Sequence, residues 1–225
     1  MNDELLEKTC LYDEHVGLGA KMAPFGGFLM PIQYEGIIRE HEAVRSKCGV
    51  FDTCHMGEIR LSGSGALGDL ENLLSCEVSG IRLGRCRYGF LCNQEGGVLD
   101  DLLVYRMGES EFMLVVNAGT RDRDYEWIRG RVSAATELKN LSGVTAKIDV
   151  QGPDSPSLVA KILEDGIAEM RFYTFKDNRF GDVPVLLSRT GYTGEVGFEV
   201  YCESNDEAAR RFWRACIELG AIPAG

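Results

Sequence analysis

Three strand-like runs follow one another in the middle of the chain, at 88–92, 98–105 and 112–116. Their hairpin-like succession, with single amphipathic helices around them, most limits what the chain can become. It reads as α+β rather than as a doubly wound α/β sheet, which needs a helix between successive strands. Helical spacing marks 36–48, where Ile37, His41, Val44 and Cys48 share a face and Gly49 suits the position just past the end. His41 is expected there as a hydrogen-bonded core histidine. A strand at 58–61 leads through a Ser/Gly turn into a helix from about Gly65, with Leu67, Leu70, Leu73 and Leu74 on one face. Thr120 reads as an N-cap for a helix burying Tyr125, Ile128, Val132 and Ala135.

The second half has the same plan. A strand at 146–150 precedes a helix opened by Ser155-Pro156. Strands at 183–187 and 197–201 bracket a glycine-rich turn. Ser204 and Glu207 form a capping box for a last helix that buries Ala208, Ala209, Phe212, Trp213 and Cys216, and Gly220 and Pro223 end it. Two stretches echo each other: Ile59-Arg-Leu-Ser-Gly-Ser-Gly-Ala and Ile148-Asp-Val-Gln-Gly-Pro-Asp-Ser. Both read as strand, glycine turn and helix start. Two related α/β units and chance both fit so short a match.

Composition narrows the function. Lys and Arg total 24 against 35 Asp and Glu, a net charge of −11. That argues against nucleic acid or an anionic membrane as the main partner. No apolar run approaches the roughly 18 residues of a membrane helix. The start, Met1-Asn2-Asp3-Glu4, resembles neither a secretory signal nor a transit peptide. The eight cysteines include no C-x-x-C pair, so they read as reduced thiols of a cytoplasmic protein rather than as disulfides or a zinc site. No metal site is expected.

Gly63-x-Gly65-x-x-Gly68 matches a dinucleotide fingerprint, but no acidic residue ends a following strand and no parallel return follows. It reads as a plain turn. Cys54 and His55 are neighbours in an extended segment and point to opposite faces, which disfavours a thiol–base pair. Asp100-Asp101 is the sharpest chemical feature. Apolar residues flank it on both sides, and alternation sends the two carboxylates to opposite faces, so at least one enters shelter. A functional carboxylate and a structural turn acid are both open readings at this point. Arg189-Thr190-Gly191-Tyr192-Thr193-Gly194-Glu195-Val196-Gly197-Phe198-Glu199 spaces three glycines by three. Such a loop can offer an aromatic face and a carboxylate to a flat polar heterocycle.

At these residues the chain resembles the aminomethyltransferase family, the T-protein of the glycine cleavage system. The resemblance runs in order through Leu11-Tyr12-Asp13-Glu14-His15, Gly19-Ala20-Lys21-Met22, Met30-Pro31 and Ala43-Val44-Arg45. It continues through Gly49-Val50-Phe51-Asp52, His55-Met56-Gly57-Glu58, Gly96-Gly97-Val98-Leu99-Asp100-Asp101-Leu102 and Val115-Val116-Asn117-Ala118. Gln151-Gly152-Pro153, the Arg189 to Glu195 loop and Pro223-Ala224-Gly225 complete it. Order and spacing make the match specific.

The resemblance implies a folate-binding α+β fold with mixed and antiparallel sheets, flanking helices and no C-terminal β-rich domain. It implies a discontinuous first domain, 1–54 and 142–225, with a second domain, 55–141, inserted. It implies transfer of a one-carbon unit from the aminomethyl-lipoyl arm of the H-protein to tetrahydrofolate, with release of ammonia. Asp101 becomes the catalytic candidate. Met56, Tyr88, Asp101, Asn117, Tyr192 and Glu199 become the folate-binding set. The chain departs from the family at Cys54, Phe28 and Pro24, where Ser, Trp and Asp are usual. It stops where the family continues, so a truncated form is expected. A folate-dependent demethylase of the same fold and an inactive truncated form are the alternatives, with a non-catalytic folate-binding regulator. The Lys-Gly-Cys-Tyr motif of such regulators is missing.

Overall fold

The computed structural model describes residues 6–164, 167, 169–203 and 206–225. The chain begins with α1 (Tyr12–Gly17), the hairpin β1 (Lys21–Phe25) and β2 (Phe28–Gln33), α2 (Ile37–Ser46) and β3 (Gly49–Asp52). Next come β4 (Gly57–Ser62), α3 (Ala66–Leu73), β5 (Cys86–Cys92), β6 (Val98–Arg106), β7 (Glu111–Val116), α4 (Arg121–Arg129) and β8 (Glu137–Asn140). The rest is β9 (Thr145–Gln151), α5 (Ser155–Ile162), β10 (Phe175–Phe180), β11 (Val183–Ser188), β12 (Gly197–Glu203), α6 (Asp206–Glu218) and β13 (Ile222–Pro223). It divides into two compact units. The first is Met1–His55 with Val144–Gly225, and the second is Met56–Gly143.

The first unit holds a six-stranded sheet in the order β10-β11-β12-β9-β3-β13, antiparallel except for the parallel pair β13 and β3. Strand alternation gives this sheet two unlike faces. Ala146, Ile148 and Val150 of β9 and Phe198, Val200 and Cys202 of β12 enter the apolar core, covered by Leu158 and Val159 of α5 and by Phe212, Trp213 and Cys216 of α6. Lys147, Asp149 and Gln151 alternate with them onto the other face, as do Glu199 and Tyr201. All seven residues of β9 are buried, so this second face is covered too, although its side chains are polar.

The second unit holds a five-stranded antiparallel sheet, β5-β6-β7-β4-β8. Its core joins Ile59 and Leu61, Leu102 and Val104, and Phe112, Leu114 and Val116 to Leu70 and Leu73 of α3 and Ile128 of α4. The two echoing stretches build the same piece of chain in both units. A strand ends, a glycine at φ +113 (Gly63) or +126 (Gly152) turns the chain, and an eight-residue helix follows. Gly63 also cannot carry a side chain, because a Cβ would lie 2.3 Å from the Ala135 carbonyl oxygen. The Gly63 to Gly68 motif thus serves internal packing beside an antiparallel strand.

Several local expectations change. His41 is exposed rather than a core histidine, and Ile37 is 67% exposed. The inward positions of α2 are Glu40 and Val44. The Glu40 carboxylate accepts the backbone N–H groups of Tyr34 (2.7 Å), Gly36 (2.9 Å) and Gly225 (3.0 Å), and these bonds turn the helix away from its apolar stripe. Gly49 opens a strand instead of closing the helix. Thr120 occupies the N-cap position of α4 without a side-chain cap bond, and its hydroxyl donates to Asp100. That helix ends at Arg129, so Val132 and Ala135 lie beyond it. Ser204 of the expected capping box lies outside the described residues, while α6 buries the five residues its spacing indicated. All eight cysteines are free thiols.

Candidate functional site

In the second unit, the chemistry gathers where β6 and β7 meet the start of α4. Alternation along β6 buries Asp100 on the core side and leaves Asp101 half-buried on the other. β6 and β7 pair Leu103 with Val115, and continuing that register sets Asn117 opposite Asp101. The Asn117 side-chain amide therefore reaches both acids. Its Nδ2 donates to Asp100 Oδ1 (2.9 Å), Asp101 Oδ1 (3.0 Å) and the Asp101 carbonyl (3.1 Å). Tyr88 on β5 donates its hydroxyl to the other Asp101 oxygen at 3.2 Å. Its ring is 45% exposed and meets Phe90 edge-on, with centroids 5.4 Å apart.

Asp100 is a structural anion. It accepts the Asn117 backbone N–H (3.0 Å) and the Thr120 hydroxyl (2.8 Å) besides Nδ2 of Asn117. Burial alone would lift its pKa, but these donors bring it below the usual carboxylate value. Tyr88, Asp101 and Asn117 thus form one hydrogen-bonded group. Met56 is half-buried at the start of the same unit.

In the first unit, the polar sheet face carries a buried charge cluster. The register sets Phe51, Asp149, Glu199 and Ser188 in one row across β3, β9, β12 and β11. Lys147 Nζ lies 2.8 Å from Asp149 Oδ1, 3.1 Å from Glu199 Oε1 and 3.2 Å from the Thr53 hydroxyl. The second Glu199 oxygen accepts the hydroxyls of Thr190 (2.6 Å) and Tyr201 (2.8 Å). Burial opposes ionisation of Glu199, but the Lys147 cation and these donors hold its pKa below normal. Asp149 has fewer partners. Burial pushes it up to about 6, against the pull of Lys147 and with the added charge of Glu199. Lys147 is held above its ordinary value, burial being outweighed by the two carboxylates.

Asp149 also faces a cavity of about 510 Å³ within this unit, lined by Phe25, Met30, Phe51, Asp52, His55 and Tyr192 among others. That volume falls within the range of small-molecule sites. Tyr192 stands at the cavity with 96% of its surface exposed. Asp52 is tied into the wall, accepting Thr9 (2.5 Å), the Cys54 N–H (2.8 Å) and the His15 ring (2.8 Å), whose other nitrogen meets the Tyr34 hydroxyl at 2.8 Å. His55 packs edge-on against Phe25 and Phe28, while Cys54 is buried with its thiol held well above the usual range, mainly by its contact with Cys10 and by burial.

The glycine-rich loop is organised by Gln151. A Cβ on Gly191 or Gly197 would lie 2.1 or 1.9 Å from its side chain. Gln151 spans the loop, donating to the Thr190 carbonyl (3.3 Å) and accepting the Thr193 hydroxyl (3.1 Å). Glu195 pairs with Arg45 at 2.7 Å, and Arg189 turns to the Met170 carbonyl. Of the acids and the aromatic ring expected to face a ligand from this loop, Tyr192 is the open group and Glu199 is internally bonded.

Sequence reading did not single out Lys147 or Asp149. The signal was present, since β9 alternates Ala146, Ile148 and Val150 with Lys147, Asp149 and Gln151. No helix among the described residues is long and apolar enough to cross a membrane.

Residues 11–225 match the family model described as GCVT N-terminal domain. The chain is 40% identical over 217 residues to aminomethyltransferases of Bacillus mycoides (strain KBAB4) and Bacillus cereus (strain G9842), covering 96% of this chain and 59% of each relative. It therefore spans about three fifths of the length of these curated relatives. Among solved structures it is similar to the glycine cleavage system aminomethyltransferase T from Bartonella henselae. That comparison gives a TM-score of 0.88 and 30% identity, over 98% of this chain and 60% of that one. A chain of heterotetrameric sarcosine oxidase from Corynebacterium sp. U-96 shares the fold at a TM-score of 0.62 and 14% identity, over 97% of this chain and 99% of that one. The match spans both sheets and both polar clusters, and the chain belongs to the GCVT N-terminal domain family.

Proposed function

We propose that this chain carries folate-binding machinery of a glycine-cleavage aminomethyltransferase and acts in the cytoplasm. The reaction moves the one-carbon unit of an aminomethyl group from the lipoyl arm of a lipoylated H-protein to tetrahydrofolate. The C–S and C–N bonds of the methylene carbon break as two bonds to folate nitrogens form; the sulfur leaves as a thiol and the nitrogen as ammonia, each taking up a proton given up by an attacking N–H. The names of the relatives and the chemistry of Asp101 support this reading.

The observation that carries it is the Asp101 carboxylate. Tyr88 and Asn117 each donate to a different oxygen, which fixes the plane of the group. A carboxylate has about four acceptor sites, so each oxygen retains capacity for a ligand N–H. In this role Asp101 anchors the pterin ring and aims N5 at the methylene carbon. Its contribution is orientation and charge complementarity. Tyr88 supplies a flat contact and Met56 an adaptable apolar one, and Tyr192 is the open aromatic of the proposed set in the first unit. Glu199 belongs to the proposed folate set too. Since Lys147, Thr190 and Tyr201 occupy it, a ligand reaching it must displace or share one of those bonds.

The test is a calorimetric titration with 5-formyltetrahydrofolate, after cooperative thermal unfolding has been verified. Saturable binding, weakened roughly tenfold or more in Asp101→Ala, is expected. A folded chain that does not bind, or an Asp101→Ala chain that binds equally well, removes the folate site from this position.

A further inference from the structure

Behind Asp101 lies a second acid that no step above uses. Asp124 on α4 has no exposed surface. Its Oδ1 takes the Arg123 guanidinium at 3.3 and 3.4 Å, while its Oδ2 accepts no hydrogen bond. Asp124 is in hydrogen-bond contact with the carboxyl of Asp100. Two buried carboxyls in contact cannot both ionise cheaply, so one keeps a proton into mildly acidic pH.

The donors decide which. Asp100 already receives the Asn117 N–H, the Asn117 amide and the Thr120 hydroxyl, and so carries the charge. Burial and the Asp100 charge favour a proton on Asp124 over the opposing pull of Arg123 and Thr120, and that proton bonds toward Asp100. The charged groups facing Asp124 are Asp100 from β6 and Arg123 from α4 itself. Thr120 and Asn117 supply the neutral donors beside the pair.

We propose that Asp124 is a positioning residue whose proton, shared with Asp100, sets the Asn117 amide and through it the Asp101 carboxylate. The inference rests on the reading of Asp101 given above. Asn117 Nδ2 has two hydrogens and three acceptors, so it is divided between the two acids. Loss of the Asp124 proton adds negative charge on the Asp100 side. The amide is then drawn toward Asp100, and Asp101 loses the bond that fixes one of its oxygens. Burial lifts Asp124 to about 6, with Asp100 as the next cause, so the change falls close to neutral pH.

The test follows the ¹⁵N side-chain amide of Asn117 in the wild-type and Asp124→Asn chains from about pH 4.5 to 8. In the wild type its resonances are expected to shift with one midpoint near 6. In Asp124→Asn, whose amide donates to Asp100 at every pH, that shift is expected to vanish. In parallel, wild-type affinity for 5-formyltetrahydrofolate should fall roughly tenfold as pH rises through the same midpoint. The variant should keep the low-pH affinity throughout. An Asn117 amide that does not titrate in the wild type, or that titrates equally in the variant, overturns the proposal. The amide needs no ligand, so a chain that binds no folate at any pH counts against the folate reading while the amide still decides this one. Should Asp124→Asn fail to fold, Asp100→Asn removes the other half of the pair. Persistence of the shift there overturns the proposal equally.

Discussion

Lys147→Met isolates the buried cluster of the first unit. Lys147 is 2% exposed and neutralises two carboxylates, at 2.8 and 3.1 Å, whose own side chains are 9% and 7% exposed. Methionine keeps most of the volume and removes the cation. Asp149 and Glu199, paired across β9 and β12, are then left facing each other without a counter-charge. Breaking a buried ion pair from one side costs about 3–5 kcal/mol. Thr190 and Tyr201 still satisfy Glu199, so the lower end, about 3 kcal/mol, is expected at pH 7. Urea unfolding should show a lower midpoint at an unchanged slope. In the variant both carboxylates have folded pKa values raised above their unfolded ones. Stability is then present at low pH and lost as pH rises, so the deficit should shrink toward pH 4–5. Combining Lys147→Met with Asp149→Asn and Glu199→Gln should recover most of the loss, because no buried charge remains in the cluster. A deficit below about 1 kcal/mol, or one equal at pH 5 and pH 7, would refute the reasoning.

Three further outcomes follow from the geometry. Gly197→Ala forces a Cβ onto Gln151, which is fully buried and bonded at both ends, and should cost about 1–3 kcal/mol in chemical denaturation. Adding Gln151→Ala should recover part of that cost. Asp124 has a folded pKa of about 6 against an ordinary 3.8, so its contribution is full below pH 3.8 and is lost as pH rises toward 6. Relative to wild type, Asp124→Asn should therefore gain on the order of 3 kcal/mol between pH 4 and pH 7; a flat difference contradicts the shared proton. Cys48, pushed to about 12, and Cys202, pushed to about 11, are buried, while Cys76 and Cys92 are partly exposed. An aromatic disulfide reagent should label the latter two in the native state and the former two only on unfolding.

The sequence by itself determined what local periodicity and order can encode. The buried face of α6 follows from five apolar residues at helical spacing. The strands at β6 and β7 follow from their apolar runs. The separation of Asp100 from Asp101 follows from the two-residue period of a strand, since successive side chains leave opposite faces. Family membership was legible too, because it lives in the order of short motifs along the chain.

Only the tertiary structure decided which polar groups meet. His41 has apolar neighbours at helical spacing, yet Glu40 faces inward, because backbone N–H groups of Tyr34, Gly36 and the distant Gly225 converge on its carboxylate. Lys147 and Asp149 share one side of β9, and Glu199, far along the chain, joins them only when β12 pairs with β9. Asp100 and Asp101 diverge along their own strand, yet both meet Asn117, because β7 ends beside them. Periodicity reports the direction in which a side chain leaves its backbone. The partner waiting there, and so the charge state it adopts, is set by strand register and helix placement across long stretches of chain.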